Sequence, residues 1–267
     1  MQVAGSRILL TGASSGIGAA TARLLASRGA TVGIVGRRTE LLAGVLEDCR
    51  QNEPACRMWT ADLGDLDRAE SLVDEAWEVF GGLDILINNA AMPKRRAVYA
   101  LTAGEIEETM RVNFHAPARM TLRVLARMLA GPGGVIVNVA SMGGRLGIPH
   151  EAAYCASKFA LTGWSESLAI DLYGTNVAVR LIQPGPIDTD IWDRSGEDPP
   201  LFDVPKLPPE LVADGIVEAI EGGGFERYLP DLKAVVTGKD ANVDAYIAGI
   251  ASAIPASPGV TTSGGNR

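Results

Sequence analysis

Tyr154 and Lys158, in the stretch SMGGRLGIPHEAAYCASK (141–158), have the types and spacing of a proton-transfer pair. Four residues apart on a helix beginning near Glu151, they share one face, about 6 Å apart along the axis. A phenol ionises near pH 10 and is a poor base at neutrality. An ammonium about 4 Å away stabilises its anion by roughly 4 kcal/mol at an effective dielectric of 20, worth about 3 pKa units. In bulk water the same charge contributes only about 1 kcal/mol. The pair therefore has chemical value only in a partly enclosed site, where the lysine must outweigh desolvation of the phenol. Ser141 stands thirteen residues before the tyrosine, at the end of an apolar run.

A second feature lies far upstream. RILLTGASSGIGAATARLLASRGA places Gly12, Gly16 and Gly18 in a G-x-x-x-G-x-G spacing between a strand and a helix. Such a turn lets the chain bend sharply, brings backbone close to a pyrophosphate and packs the helix tightly on its strand. The helix N-terminus then presents unpaired N–H groups and partial positive charge to phosphates. Ser14 and Ser15 add hydroxyl donors.

The elements that position these groups alternate along the chain. Strands are expected at 7–11, 31–36, 56–60, 84–89, 134–140 and 177–183, with a short last one at 227–230. Their near-continuous apolar character suits a parallel sheet covered on both faces. Helices are expected at 17–28, 38–52, 65–80, 103–130, 151–173 and 208–221. Together these predict an α/β fold, a Rossmann-type doubly wound parallel sheet of about seven strands in one domain over 1–251. The proline-rich segment 186–208 reads as a substrate loop, and SAIPASPGVTTSGGNR (252–267) as a flexible tail.

Taken together, TGASSGIG (11–18), NNAA (88–91), Asn113, Ser141, YCASK (154–158) and PGPIDT (184–189) resemble the single-domain branch of the short-chain dehydrogenase/reductase family. Order and spacing match over roughly residues 6–190; Ala91 departs from the glycine usual in that family. The resemblance implies that Tyr154 gives a proton to a substrate carbonyl oxygen, or takes one from an alcohol, as hydride passes to or from a nicotinamide. Lys158 would lower the tyrosine pKa and bind the nicotinamide ribose. Ser141 would polarise the carbonyl, and Asn113, inside the helix after the fourth strand, would hold a water linking Lys158 to solvent. The glycine turn, with Ile17, would hold the pyrophosphate. Asp62 and Leu63 would flank the adenine, Asn89 and Ala90 the adjoining ribose. Pro184, Ile187 and Thr189 would meet the nicotinamide end, while Asn88 would tie the sheet together.

Cofactor choice is decided just past the second strand. In IVGRRTE, Gly36 stands where an acid would bind two ribose hydroxyls, and Arg37 and Arg38 follow. Guanidinium forks onto a 2′-phosphate that a carboxylate would repel, so NADP(H) is favoured, with NAD(H) as the alternative.

Composition narrows the remaining classes. The 267 residues carry 24 Lys plus Arg against 32 Asp plus Glu, a balance of −8 that argues against a nucleic-acid partner. Cys49, Cys56 and Cys155 lack C-x-x-C spacing and suit a reduced cytoplasm; with only His115 and His150 besides, no metal site is expected. No window is long and apolar enough for a membrane span. Met92, Met142, Leu146, Trp192, Leu201 and Phe202 fall on loops beyond the sheet's C-terminal edge. They predict a largely apolar small-molecule carbonyl or alcohol substrate. KRR (94–96) reads as a solvated run. Surplus apolar positions on 103–130 and 151–173, together with the resemblance, imply a homodimer or homotetramer. The alternatives are a nucleotide-binding sensor on the same fold, or a reductase of carrier-linked 3-oxoacyl groups.

Overall fold

The alternating pattern folds as expected in the computed structural model, which describes residues 1–193 and 195–254. Strands β1 (Arg7–Thr11), β2 (Thr31–Gly36), β3 (Arg57–Thr60), β4 (Ile85–Asn88), β5 (Gly134–Val139), β6 (Val177–Pro184) and β7 (Glu226–Leu229) form one sheet. Every neighbouring pair is parallel, in the order β3-β2-β1-β4-β5-β6-β7. The chain reverses its winding direction between β1 and β4, and a crevice opens at their C-terminal ends, where sheets of this kind bind ligands.

Successive strand residues point to opposite faces, and the core divides accordingly. Ile8, Leu10, Ile85, Ile87, Val135 and Val137 pack against α1 (Gly16–Ser27), α2 (Thr39–Arg50) and α7 (Pro209–Gly222). Leu9, Leu86 and Ile136 face the other way, onto α3 (Leu66–Phe80), α5 (Ala116–Ala130) and the C-terminal end of α6 (Ala152–Asp171). Burial on both faces explains why these strands carry no polar alternation.

Three boundaries differ from expectation. The segment 103–130 is not one helix: α4 (Ala103–Met110) passes into a π turn (Arg111–His115) before α5 begins. Pro117 has no N–H to return to the Asn113 carbonyl four residues earlier, so the hydrogen-bond ladder shifts by one residue. Residues 233–253, unassigned from sequence, form α8 (Lys233–Ala241) and α9 (Val243–Ala253). The helix thus runs two residues past the expected domain end, and 255–267 of the expected tail lie outside the described residues.

Candidate active site

The glycine turn closes between β1 and α1 with almost no spare room. Gly12 has φ +71°, and a Cβ there would lie 2.6 Å from the Ala90 Cα; at Gly18 it would lie 2.1 Å from the Gly12 carbonyl oxygen. Ser15 caps α1 in extended conformation without a side-chain bond to the first turn. Backbone N–H groups at the start of α1 therefore open onto the crevice, a cradle that fits a pyrophosphate. Asn89 braces the floor: its Nδ2 donates to the carbonyls of Thr11 (2.9 Å) and Gly12 (3.3 Å).

At the mouth of the cradle, Arg38 donates through Nε to Ser14 Oγ (3.3 Å), through NH2 to Ser15 Oγ, and through NH1 to Asp190 (2.7 Å). Arg37 lies 3.8 Å from the Asp62 carboxylate. Both guanidinium groups line the same cavity as Gly12, Ser14, Ser15, Gly16, Ile17, Gly18, Asp62, Leu63, Asn89 and Ala90.

The cavity, about 1050 Å³, continues past the sheet edge to Ser141, Tyr154, Lys158, Pro184, Ile187 and Thr189. Ser141 follows β5, and its Oγ accepts from the Gly143 N–H (3.1 Å). Tyr154 and Lys158 stand one turn apart on α6, with the lysine Nζ 5.8 Å from the tyrosine ring centroid. Lys158 is only 1% exposed, and its Nζ donates to the Val139 carbonyl at 3.0 Å. Burial pulls its pKa down to about 7. Burial also holds the Tyr154 hydroxyl above its ordinary value, against a hydrogen bond from Ser141 that favours the anion. Desolvation is the dominant influence on Tyr154, and the Lys158 side chain is turned toward a main-chain carbonyl.

Asn113 sits in the π turn with its side chain fully engaged. Oδ1 accepts from the Met92 N–H (2.7 Å), and Nδ2 donates to the Met92 carbonyl (2.9 Å) and Ser157 Oγ (3.0 Å). It therefore clamps the loop after β4 to the helix turn carrying Lys158. Asn88 does lie in the sheet interior, donating to Asn138 Oδ1 (2.8 Å); Asn138 in turn donates to Ser165 Oγ (2.8 Å).

The run Lys94-Arg95-Arg96 is not solvated. Arg95 is 4% exposed and donates to the carbonyls of Asp198 (2.9 Å), Ile191 (3.2 Å) and Trp192 (2.6 Å), all in the segment after β6. Glu197 accepts from the Arg95 N–H and pairs with Lys94 at 2.8 Å. Arg96 donates to the Gly196 carbonyl (2.6 Å). Trp192 is held between cations, with the Arg95 guanidinium 5.7 Å and Lys206 Nζ 5.1 Å from its ring, while its indole N–H donates to the Ile187 carbonyl (2.7 Å). A basic run without helical period looks solvated from sequence; its partners are main-chain carbonyls and the Glu197 carboxylate about a hundred residues onward.

Other supporting residues carried weaker sequence signals. Gln183, a lone polar residue at the end of an apolar strand, accepts from the Ser141 N–H (3.1 Å) and donates to Thr162 Oγ1 (3.3 Å) and Glu226 (3.1 Å). Gly144 lets the loop after Ser141 touch α6, since a Cβ would lie 2.8 Å from the Lys158 carbonyl oxygen. Met92, Met142, Leu146, Trp192, Leu201 and Phe202 all line the cavity, as does His150. Val236 and Tyr246 of the unforeseen C-terminal helices pack behind Met142 and Leu146. No described helix is long and apolar enough to cross a membrane, and the described residues contain no metal-binding cluster.

Comparison with known proteins agrees with this geometry. A family model described as short chain dehydrogenase matches residues 6–200. A 3-ketodihydrosphingosine reductase from Bacteroides thetaiotaomicron is 35% identical over 187 residues, which are 70% of this chain and 66% of that protein. A D-threitol dehydrogenase from Mycolicibacterium smegmatis is 32% identical over 195 residues, 73% of this chain and 75% of that protein. A solved short-chain dehydrogenase/reductase from Burkholderia phymatum in complex with NAD has a TM-score of 0.84 and 25% identity, covering 92% of this chain and 96% of that one. Another, from Burkholderia cenocepacia in complex with NADP, has a TM-score of 0.79 and 27% identity over 94% and 99% of the two chains. The matched segment contains both the phosphate-type turn and the Tyr154–Lys158 wall of the crevice, and the chain belongs to the short-chain dehydrogenase/reductase family of oxidoreductases.

Proposed function

We propose that the protein transfers hydride between NADP(H) and a carbonyl or secondary-alcohol substrate, with Tyr154 as general acid and base. The observation that carries this reading is the single cavity that joins the glycine cradle at one end to Ser141, Tyr154 and Lys158 at the other. When bound, the nicotinamide cofactor supplies or accepts the hydride. Gly12, Ser14, Ser15, Gly16, Ile17 and Gly18 would hold its pyrophosphate; Asp62, Leu63, Asn89 and Ala90 its adenosine; Lys158, Pro184, Ile187 and Thr189 its nicotinamide half.

Within this reading each catalytic group has a task suited to its surroundings. Tyr154, kept protonated by burial, donates its hydroxyl proton to the substrate oxygen during reduction. Ser141, fixed from behind by Gln183, offers its hydroxyl to the same oxygen as charge develops. Lys158 supplies positive charge beside the tyrosine, stabilising the phenolate left by proton donation. Asn113 acts as a positioning residue through Met92 and Ser157.

Preference for NADP(H) rests on Arg37 and Arg38 lining the cavity with no acid at Gly36. Solved relatives hold NAD in one case and NADP in another, so the arginines carry the choice. The relatives include a 3-ketodihydrosphingosine reductase and a D-threitol dehydrogenase, which supports a carbonyl or alcohol substrate. Reduction of a carrier-linked acyl group is less favoured, because the basic run that would dock a carrier is buried under the loop it holds. A sensor role has no observation in its favour while tyrosine and lysine are both in place. Assembly as a homodimer or homotetramer is supported by exposed Leu122 and Leu129 on α5 and Phe159 and Ile170 on α6.

The test is NADPH oxidation over a panel of ketones and aldehydes, with Tyr154→Phe as comparison. The variant is expected to bind cofactor normally and to lose 10²–10⁴-fold in turnover, the usual contribution of such a group. Retention of more than about a tenth of the rate would remove the assignment.

A further inference from the structure

Glu151 is a carboxylate the catalytic scheme leaves unused. It stands at the N-cap of α6, three residues before Tyr154, yet makes no side-chain bond to the first turn of its own helix. It lines the substrate half of the cavity together with Tyr154, Ser141 and Arg95. Among the described residues no hydrogen-bond donor and no ion-pair partner engages it. The charged groups near it are Arg95, which attracts it, and Glu197, which repels it; both are already committed to the latch over the cleft. Its field reaches Tyr154 and Cys155, and half-burial raises its own pKa to about 7.

A partly buried carboxylate that lines the cavity with no protein donor on it is free to accept a hydrogen bond from a bound molecule. Met142, Leu146, Leu201 and Phe202 surround the same space and offer nothing to it. The group that fits is a donor brought in by the substrate. We propose that Glu151 is a specificity-determining residue whose carboxylate accepts a hydrogen bond from a hydroxyl or ammonium group carried close to the reacting carbonyl. This rests on the oxidoreductase reading of the cavity and narrows its substrate class. The substrate is amphiphilic, a ketone with a neighbouring donor and an apolar remainder. Hydroxyl and ammonium differ in their need for charge, since a neutral amide still accepts from a hydroxyl but no longer attracts a cation.

Three ketones of equal chain length, one plain, one with a hydroxyl and one with an ammonium on the adjacent carbon, distinguish these cases. The wild-type protein, given both NADPH and NADH, should show kcat/KM at least tenfold higher for one or both donor-bearing ketones, the scale of one hydrogen bond to a charged group. Glu151→Leu should bring the preference to within about threefold of unity while leaving the plain ketone within about threefold of wild type. Glu151→Gln should abolish preference for the ammonium and spare part of that for the hydroxyl. A preference unchanged in Glu151→Leu, or no preference in the wild type, overturns the proposal. The same ligands are also read by the rise in melting temperature they produce, which needs no turnover. A Glu151-dependent rise without reduction of any ketone would defeat the oxidoreductase reading, and with it the specificity role, while leaving Glu151 as the acceptor for the bound donor. Equal rises from all three ligands in both proteins would defeat this one alone.

Discussion

Replacing Lys158 with methionine should stabilise the protein near neutral pH while removing its activity, by an amount that depends on pH. Lys158 is 1% exposed, its Nζ donates to one main-chain carbonyl, and among the described residues no carboxylate pairs with it. Its pKa falls from the ordinary 10.5 to about 7, with burial as the cause. Between those values the unfolded chain holds a proton that the folded protein has released, so stability rises with pH across that window. Below about 7 both states are protonated, and the folded state carries the full cost of an enclosed ammonium. At 1.36 kcal/mol for each tenfold change in proton affinity, that cost is about 5 kcal/mol. From pH 7 to 9.5 the native protein should recover about 3 kcal/mol of it relative to Lys158→Met, which has nothing to titrate there. The upper limit matters, because beyond pH 10 the raised Tyr154 works in the opposite direction: the unfolded chain loses a phenolic proton that the folded one keeps. Urea unfolding followed by tryptophan fluorescence, at half-unit steps from pH 6.5 to 9.5, measures both proteins without cofactor. The variant should be the more stable at pH 6.5, with the gap closing steadily as pH rises. Parallel profiles, differing by less than about 1 kcal/mol in slope across the range, would refute the enclosed-ammonium account. They would mean that Lys158 keeps its charge through contacts with water.

Arg95→Met should unfasten the segment after β6, because three carbonyls lose their donor and the Trp192 ring loses one of its two cations. KM should rise about tenfold or more with a smaller change in kcat, and limited proteolysis between 191 and 202 should accelerate; unchanged KM and cleavage would count against the latch. Arg37→Ala should weaken NADPH binding by roughly tenfold or more while leaving NADH within about threefold, the scale of a charge-assisted hydrogen bond to phosphate. Isothermal titration with both cofactors decides this, and equal losses would move the discrimination to Arg38 or away from both arginines.

What the sequence made legible follows from how locally each feature is encoded. Gly12, Gly16 and Gly18 lie within seven residues, and their demands are written in the absence of Cβ atoms, so the turn could be read without a fold. The strands could be read because burial on both faces erases polar alternation. The π turn was readable in principle: Pro117 cannot complete the ladder to Asn113, but the long apolar periodicity of 103–130 masked it. The C-terminal helices were missed because α9 has no buried residue, leaving no periodic stripe to find. Arg95 and Arg96 escaped because they donate to main-chain carbonyls, which every residue possesses and no sequence pattern announces, and Lys94 because its partner Glu197 lies about a hundred residues onward.

The Tyr154–Lys158 pair shows where local encoding ends. Helical spacing places both side chains on one face, and the structure keeps them there. Spacing says nothing about how deeply that face is buried, and burial decides the direction of both titrations. Desolvation raises the tyrosine and lowers the lysine, opposite to what their mutual attraction alone would give. A buried neutral phenol holds the proton that reduction must deliver, but its raised pKa makes it a weaker donor until the Lys158 charge reaches the phenolate. The site therefore keeps Tyr154 in the protonated form from which reduction of a carbonyl starts. Alcohol oxidation needs an additional source of positive charge or a turn of the Lys158 side chain away from Val139. A measured reduction rate whose pH profile falls as pH rises through the range where Lys158 loses its charge would tie this asymmetry to the lysine. The same profile in Lys158→Arg should move to higher pH, because guanidinium stays charged where ammonium does not.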